Sequence, residues 1–126
     1  MITGAANGVG RALACSFASQ RILLGIIDVD STELQVVAKI CKAAGSQVVI
    51  GTVDVSDMSG MDTFVNSFHE LFGSIDVLIA NAGISPRLVL DHTSKMAQTL
   101  MLTNYIGMIN TVEPAARIME TQRSGV

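Results

Sequence analysis

Three glycines near the start of the chain have the spacing that most directly suggests chemistry. Gly4, Gly8 and Gly10 belong to a T-G-x-x-x-G-x-G run over residues 3–10, which leads into an amphipathic segment over residues 9–20. Such a turn brings the backbone close to a pyrophosphate, which then meets free N–H groups and the positive end of a helix dipole. The motif predicts a site for a phosphate-bearing cofactor, and its alternative is a plain tight turn that binds nothing.

An acid follows at the distance where a second cofactor contact is expected. Asp28 closes an apolar run, eighteen residues beyond Gly10. Its carboxylate can accept hydrogen bonds from both adenosine ribose hydroxyls and would repel a 2′-phosphate, which favours NAD(H) while leaving NADP(H) possible. Arg11 and Arg21 could pair with such a phosphate, but we interpret both as surface charges.

Two more polar groups follow the next apolar runs. Asp54 could accept a hydrogen bond from the adenine amine while Val55 packs on the ring, or it could simply cap a turn. In Asn81-Ala82-Gly83 the small residues let the backbone approach a cofactor, and the asparagine amide can join neighbouring strand ends. An ordinary turn is the alternative for this motif.

Hydrophobic periodicity indicates the elements that must position these residues. It predicts helices over about residues 9–20, 30–45, 57–73 and 93–121, and strands over residues 21–28, 48–54 and 75–80. Asp30 and Glu33 form an acidic variant of the capping box, and Pro114 should kink or split the last helix. Alternating helices and short apolar strands predict an α/β fold with a parallel sheet covered on both faces.

Length and composition narrow the function classes. The chain has 126 residues, 49% of them hydrophobic, and a net charge of -3, which suits one domain and disfavours nucleic-acid binding. Its longest apolar run, residues 22–27, is too short to span a membrane. We interpret Cys15 and Cys41 as core residues in a reducing cytoplasm, and we identify no signal peptide at Met1.

The glycine turn, the acids, the Asn81 motif and Asn104 occur in the order and spacing of the short-chain dehydrogenases/reductases. The chain resembles the N-terminal half of that family over essentially all its residues. The resemblance implies a Rossmann-like three-layer fold with strand order 3-2-1-4 in this half. It also implies hydride transfer between NAD(P) and a small alcohol or carbonyl substrate, in a complete enzyme that forms a homo-oligomer.

The same resemblance assigns residues to parts of the cofactor. The pyrophosphate and adenosine ribose would be lined by Thr3, Gly4, Asn7, Gly8, Val9 and Gly10. Asn81 and Gly83 would lie beside the nicotinamide ribose. Asn104 matches a catalytic asparagine that holds a water in a proton relay by bending its helix, although from the residues alone it is equally a solvent-facing helix position.

The family's acid–base residues have no counterpart in this sequence. The family uses a serine and a Tyr-x-x-x-Lys pair, whereas the residue four positions after Tyr105 is Ile109. A tyrosine near its ordinary pKa of about 10 is a poor base at neutral pH, so we interpret Tyr105 as a core aromatic. His69 and His92 read as lone surface histidines, with no metal site, and only residues 85–92 could reach the rim of a substrate pocket.

The first strand is also short, because only Met1 and Ile2 precede the turn. A missing central strand would expose two edges inside the sheet. We therefore expect residues 1–126 to be a partial NAD(P)-binding Rossmann domain from a fragment or a truncated gene product, not competent for turnover alone. The alternative is a noncatalytic nucleotide-binding or interaction module.

Overall fold

The computed structural model describes residues 1–85 and 94–126 and shows a parallel sheet between two helical layers. The elements, in chain order, are β1 (Ile2–Thr3), α1 (Gly8–Ala18), β2 (Leu23–Asp28), α2 (Ser31–Ala43), β3 (Gln47–Thr52), α3 (Met58–Phe72), α4 (Ser94–Leu100), a π-helical segment (Met101–Ile106, called the π segment) and α5 (Gly107–Gln122). β1 pairs with β2, and β2 with β3, both in parallel. The predicted α/β, Rossmann-like architecture is confirmed.

The central strand β2 is buried on both faces, which explains its continuous apolar sequence. Successive side chains of a strand point to opposite faces of the sheet, so Ile26 and Ile27 enter different cores. Ile26 packs with α1 and α2, through residues such as Ala14 and Leu34. Ile27 belongs to the core formed with α3 and α5. This division produces the three layers that hold the strand ends in place.

Polar caps fix where α2 and α3 begin. The Asp30 carboxylate accepts hydrogen bonds from the backbone N–H groups of Thr32, at 3.1 Å, and Glu33, at 3.0 Å. Only this half of the predicted capping box forms, because the Glu33 carboxylate pairs with Arg11 at 3.4 Å instead. Asp57 caps α3 by accepting from the N–H of Gly60 at 3.1 Å.

The first strand is short, but it does not leave the gap in the sheet that a missing central strand would cause. Ile2 pairs with Ile26 on one side and forms a bridge with Ile79 on the other. The sheet has the order β3-β2-β1, and an isolated bridge at Ile79 stands where the predicted order 3-2-1-4 has its fourth strand. The regular strand predicted over residues 75–80 is therefore wrong. The side chain of Gln122 accepts from the N–H of Ile75 at 2.9 Å and donates to its carbonyl at 3.1 Å, so neither group joins a strand ladder.

The long helix departs from regular α-helical form around Asn104, where the family resemblance implies a bend, and not at Pro114. Pro114 lies buried within α5, which continues unbroken from Gly107 to Gln122, so the alternative of a split at the proline is wrong. The helical pattern changes earlier, in the π segment, where the N–H of Gly107 donates to the carbonyl of Leu102. The predicted start at Thr93 lies outside the described residues.

Candidate functional site

The turn after β1, the end of β2 and the segment after Ile79 meet at one edge of the sheet, which we call the carboxyl edge. The Asn81 side-chain amide donates to the carbonyl of Thr3 at 3.0 Å and to that of Gly4 at 3.3 Å. On the other side, the N–H of Ala6 donates to the Asp28 carboxylate at 2.9 Å. Three of the sequence-predicted motifs are thus joined directly to one another.

Thr3 holds the centre of this edge. Its side chain is 1% exposed, and its hydroxyl oxygen accepts from the N–H groups of Asn81 and Ala82, each at 3.1 Å. A threonine hydroxyl with both acceptor positions used in this way fixes the chain after Ile79 against the end of β1. Thr3 therefore acts as a support for the glycine turn.

The glycines are needed for two separate physical reasons. Gly4 and Gly8 have φ values of 65° and 53°, in the left-handed region that favours glycine. A Cβ on Gly10 would overlap the carbonyl oxygen of Gly4 and would stand 2.6 Å from the side-chain nitrogen of Asn81. A Cβ on Gly8 would meet nothing within 4 Å, so this position faces open space.

The N-terminus of α1 faces that open space without a protein cap. Asn7, at the N-cap position, makes no side-chain cap hydrogen bond, and the first turn holds no acidic residue. Asn7, Gly8 and Val9 are exposed. Helical periodicity predicts Val9, Leu13 and Phe17 in one apolar stripe of α1, and for Val9 this is wrong, because it is 67% exposed while Gly10 is buried against the turn. Free N–H groups and the positive end of a helix dipole at such a terminus favour an anion.

The Asp28 carboxylate is oriented by backbone amides. One of its oxygens accepts from Ala6 at 2.9 Å and the other from the N–H of Asp30 at 3.1 Å. No ion pair to Asp28 occurs in the described part of the chain, where Arg11 pairs with Glu33. Arg21 precedes β2 and so lies at the opposite end of the strand from Asp28. Among the described residues, no cation pairs with this carboxylate.

The loop after β3 is held by hydrogen bonds within the loop and by contacts with α5. One Asp54 oxygen accepts from the N–H and the hydroxyl of Ser56, at 2.8 and 2.7 Å. Val55 is 6% exposed, and a Cβ on Gly107 would stand 2.5 Å from one of its methyl groups. The side chain of Asn110, 7% exposed, donates to the Val55 carbonyl at 2.9 Å.

Sequence reasoning missed Asn110. A signal for it existed, because an asparagine on the buried face of an otherwise apolar helix requires a hydrogen-bonding partner. Its amide also donates to the carbonyl of Ser56 at 3.2 Å. Asn110 therefore links α5 to the end of the loop that carries Asp54.

Asn104 lies in the π segment and is joined to the chain just beyond the Asn81 motif. Its side-chain oxygen accepts from the N–H of Ile84, and its side-chain nitrogen donates to the Ile84 carbonyl, both at 2.8 Å. A Cβ on Gly83 would stand 3.4 Å from the same oxygen. The neighbouring Tyr105 is 52% exposed, so its interpretation as a core aromatic is wrong.

Other features of the described residues bear on the function classes. No group of three metal-ligating side chains comes together in residues 1–85 and 94–126, and none of their helices is long and apolar enough to cross a membrane. His69 is half-buried, whereas His92, like the end of the expected substrate rim, falls outside the described residues. Cys41 is buried, and desolvation raises its thiol pKa to about 11, with the neighbouring Cys15 adding to the effect.

Comparison with known proteins decides the family. The sequence model described as short chain dehydrogenase matches residues 1–126. The chain belongs to this family. It is 34% identical over 131 aligned residues to an L-rhamnose 1-dehydrogenase (NAD(P)(+)) of Azotobacter vinelandii, covering 99% of this chain and 51% of that protein. It is 30% identical to a 2,3-dihydro-2,3-dihydroxybenzoate dehydrogenase of Bacillus subtilis, covering 98% and 48%.

Solved structures of this short-chain dehydrogenase family share the fold. A short chain dehydrogenase from Mycobacterium paratuberculosis bound to NAD has a TM-score of 0.89 at 29% identity, covering 98% of this chain and 51% of that one. An NAD+-bound xylitol dehydrogenase has a TM-score of 0.92 at 26% identity, covering 98% and 48%. The chain thus spans about half the length of the relatives it matches.

Proposed function

We propose that residues 1–126 form the partial NAD(P)-binding Rossmann domain of a short-chain oxidoreductase, which transfers hydride between nicotinamide and a small alcohol or carbonyl compound. The observation that carries the proposal is the carboxyl edge itself. An uncapped helix N-terminus, a left-handed glycine and an oriented carboxylate open onto the same side of the sheet. That combination suits a ligand with a phosphate group and a ribose.

The glycine turn would hold the pyrophosphate. At Gly8 the missing side chain leaves room for a ligand, and N–H groups of Gly8, Val9 and Gly10 have no protein cap at the start of α1. Gly4 and Asn7 shape the approach to this turn, and Thr3 supports it from behind. Bound phosphate would receive backbone hydrogen bonds and the favourable helix dipole.

Asp28 would select NAD(H) over NADP(H). Its two oxygens are already oriented by the N–H groups of Ala6 and Asp30, and each retains capacity to accept from a ribose hydroxyl. A 2′-phosphate would meet the unpaired carboxylate in place of a cation, because Arg11 is engaged with Glu33. The proposed preference rests on this charge arrangement.

The remaining strand ends would hold the two ends of the cofactor. Asp54 retains a second oxygen for the adenine amine, with Val55 buried behind it as an anchor. Ala82 and Gly83 would let the backbone approach the nicotinamide ribose, beside the amide of Asn81. Each assignment follows the position of the residue at the carboxyl edge.

Asn104 would act at the end of the cofactor site where hydride transfer takes place. Both polar atoms of its side chain are held by Ile84, so a proton relay would use backbone groups that the π segment exposes. Tyr105 has Ile109 four residues later and no lysine there, and a tyrosine without a cationic neighbour is a weak base at neutral pH. We therefore propose that this chain binds the cofactor and does not turn over substrate alone. In that state it is a noncatalytic nucleotide-binding module.

Calorimetric titration of the purified chain with NADH and with NADPH tests the proposal. We expect NADH to bind more tightly than NADPH. In Asp28→Ala the loss of charge-assisted hydrogen bonds should weaken NADH binding about tenfold and reduce the preference. Failure of the wild-type chain to bind either dinucleotide would contradict the proposal.

A neighbouring acid provides the matched control. Asp54→Ala removes a carboxylate from the next strand end, so it should weaken both dinucleotides to a similar degree and leave their ratio unchanged. Thermal unfolding of both variants checks that the carboxyl edge survives, because Asp28 also binds two backbone amides. An unchanged NADH-to-NADPH ratio in folded Asp28→Ala would overturn its role in selection.

A further inference from the structure

A buried polar side chain joins α5 to the loop after β3. Asn110 is 7% exposed and lies about one helical turn after Gly107, where α5 packs closely on Val55. Its side-chain nitrogen donates to the carbonyl of Val55 at 2.9 Å and to that of Ser56 at 3.2 Å. An amide group that gives both of its hydrogens to one loop fixes that loop to the helix.

The neighbouring residue on α5 makes a different kind of bond. Thr111 is 1% exposed, and its hydroxyl donates to the carbonyl of Gly107, within the same helix, at 2.7 Å. Asn110 instead bonds to groups that lie 55 and 54 positions earlier in the chain. The contrast shows that Asn110 acts on the loop and not only on its own helix.

The loop residue that Asn110 holds also orients the Asp54 carboxylate. The N–H and the hydroxyl of Ser56 both donate to one Asp54 oxygen, at 2.8 and 2.7 Å. Asp54 is exposed, and it forms no ion pair with any described residue. The direction of this carboxylate therefore depends on Ser56, and the position of Ser56 depends in turn on Asn110.

We propose that Asn110 is a positioning residue for the adenine end of the cofactor, which acts through Ser56 to hold one Asp54 oxygen and leave the other for the adenine amine. This inference rests on the proposed function and extends it to a residue that does not touch the ligand. A carboxylate oxygen fixed in this way accepts from an amine and repels a carbonyl oxygen at the same ring position. Asn110 thus contributes to the choice of base.

Calorimetric titration with two dinucleotides tests this role. One is NADH, and the other is reduced nicotinamide hypoxanthine dinucleotide, which has a carbonyl oxygen in place of the adenine amine. The wild-type chain should prefer NADH about tenfold, because the analogue loses one charge-assisted hydrogen bond. In Asn110→Leu, which keeps a similar size but removes the donor, the preference should fall to about twofold while the analogue binds nearly as before. A purely structural loss would weaken both ligands equally.

Thr111→Val is the matched control. It removes a buried polar group from the same helix, but the lost bond lies within α5, so the roughly tenfold preference for NADH should remain. Thermal unfolding of both variants compares their stabilities. Loss of the preference in Thr111→Val as well would show that any disturbance of α5 has this effect, which would overturn a specific role for Asn110.

A second variant tests the intermediate contact and does not depend on the folding of Asn110→Leu. Ser56→Ala removes the hydroxyl bond to Asp54 and keeps the N–H bond, so it should lower the preference by about threefold. Combined with Asn110→Leu, it should lower the preference by less than the product of the two single effects, because both act on the same Asp54 oxygen.

The outcomes distinguish this inference from the proposed function. If the wild-type chain binds neither dinucleotide, the proposed function fails, and the role of Asn110 fails with it. Binding of NADH with no preference over the analogue would overturn the role of Asn110 and leave the cofactor site in place. An unchanged preference in folded Asn110→Leu, or in Ser56→Ala, would overturn the role of Asn110 alone.

Discussion

The two ends of β1 are bordered by different kinds of contact. At the carboxyl edge, side chains of Thr3, Asp28 and Asn81 bind the backbone groups that the strand ends leave free. At the other end, the backbone groups of Leu23 and Val77 face a mainly apolar groove lined by residues such as Met1, Phe17 and Phe68, which we call the amino-end groove. One end is thus bordered by short-range polar contacts, and the other by an apolar groove.

The carboxyl edge is joined mainly by side-chain contacts. Two residues of β1 pair with β2, and the turn above them is linked to Asp28 and to the segment after Ile79 by partly buried hydrogen bonds. The following changes test each end of that comparison.

The largest effect is expected at Gly10, where the carboxyl edge is most tightly packed. Gly10→Ala would force a Cβ against the Gly4 carbonyl, and we expect a loss of about 3 kcal/mol in unfolding free energy together with loss of NADH binding. Gly8→Ala is the matched control, because space is open there and only its left-handed φ costs about 1 kcal/mol. Urea unfolding measures both, and equal losses would refute the packing argument.

Removing the hydroxyl of Thr3 should be the next most damaging change. Thr3→Val keeps the shape but leaves the N–H groups of Asn81 and Ala82 without their acceptor, at an expected cost of about 2 to 3 kcal/mol. Thr52→Val, at an exposed position on β3, should cost less than about 0.5 kcal/mol. If thermal unfolding shows similar stabilities for the two variants, Thr3 does not support the edge.

Burial of the Met1 amino group, beside the amino-end groove, should make the free energy of unfolding depend on pH. Folding lowers the Met1 pKa from 8.0 to about 6, so the unfolded chain binds more protons between these values and stability rises with pH across that window. Two pKa units correspond to at most about 2.7 kcal/mol of stability, which is gained across the window and absent below it. N-terminal acetylation removes this titration. Urea unfolding of both forms between about pH 5 and about pH 9 should show the difference, and parallel curves would contradict it.

The smallest effect is expected at Asn104, in the π segment beside the carboxyl edge. Asn104→Ala removes two hydrogen bonds to Ile84, both exposed, and should cost about 1 kcal/mol while speeding hydrogen exchange at the Ile84 amide. Asn66→Ala is the control, because the hydrogen bonds of that side chain to described residues lie within its own helix, at Asp62. Unchanged exchange at Ile84 in folded Asn104→Ala would show that the π segment is positioned by other contacts.

Local patterns in the sequence were sufficient to predict most of the fold and the composition of the site. The helix cap at Asp30, the start of α3 near residue 57 and the apolar run of β2 each depend on neighbours close in the chain, and all were predicted in place. The glycine turn and Asp28 follow the same logic, since a parallel sheet brings its strand ends to one edge. Their cofactor contacts remain predictions.

Tertiary contacts explain what the sequence could not reveal. Ile75, where the predicted strand over residues 75–80 should begin, has both backbone groups bound by Gln122, which is distant in the chain. Val9 has an apolar side chain, but the close approach of Gly10 to Gly4 turns Val9 outward. The π segment was not predicted from hydrophobic periodicity, and only the family resemblance implied a bend at Asn104.

Hydrogen exchange of the chain with and without NADH tests the central claim most directly, because it reads both ends of β1 in one experiment. We predict slower exchange for the amides of Gly8, Val9 and Gly10 and around Asp28 when NADH is present. The amides of Leu23 and Val77, in the amino-end groove, should be unchanged. Slower exchange in the groove alone, or no change at the glycine turn, would contradict the assignment of the cofactor to the carboxyl edge.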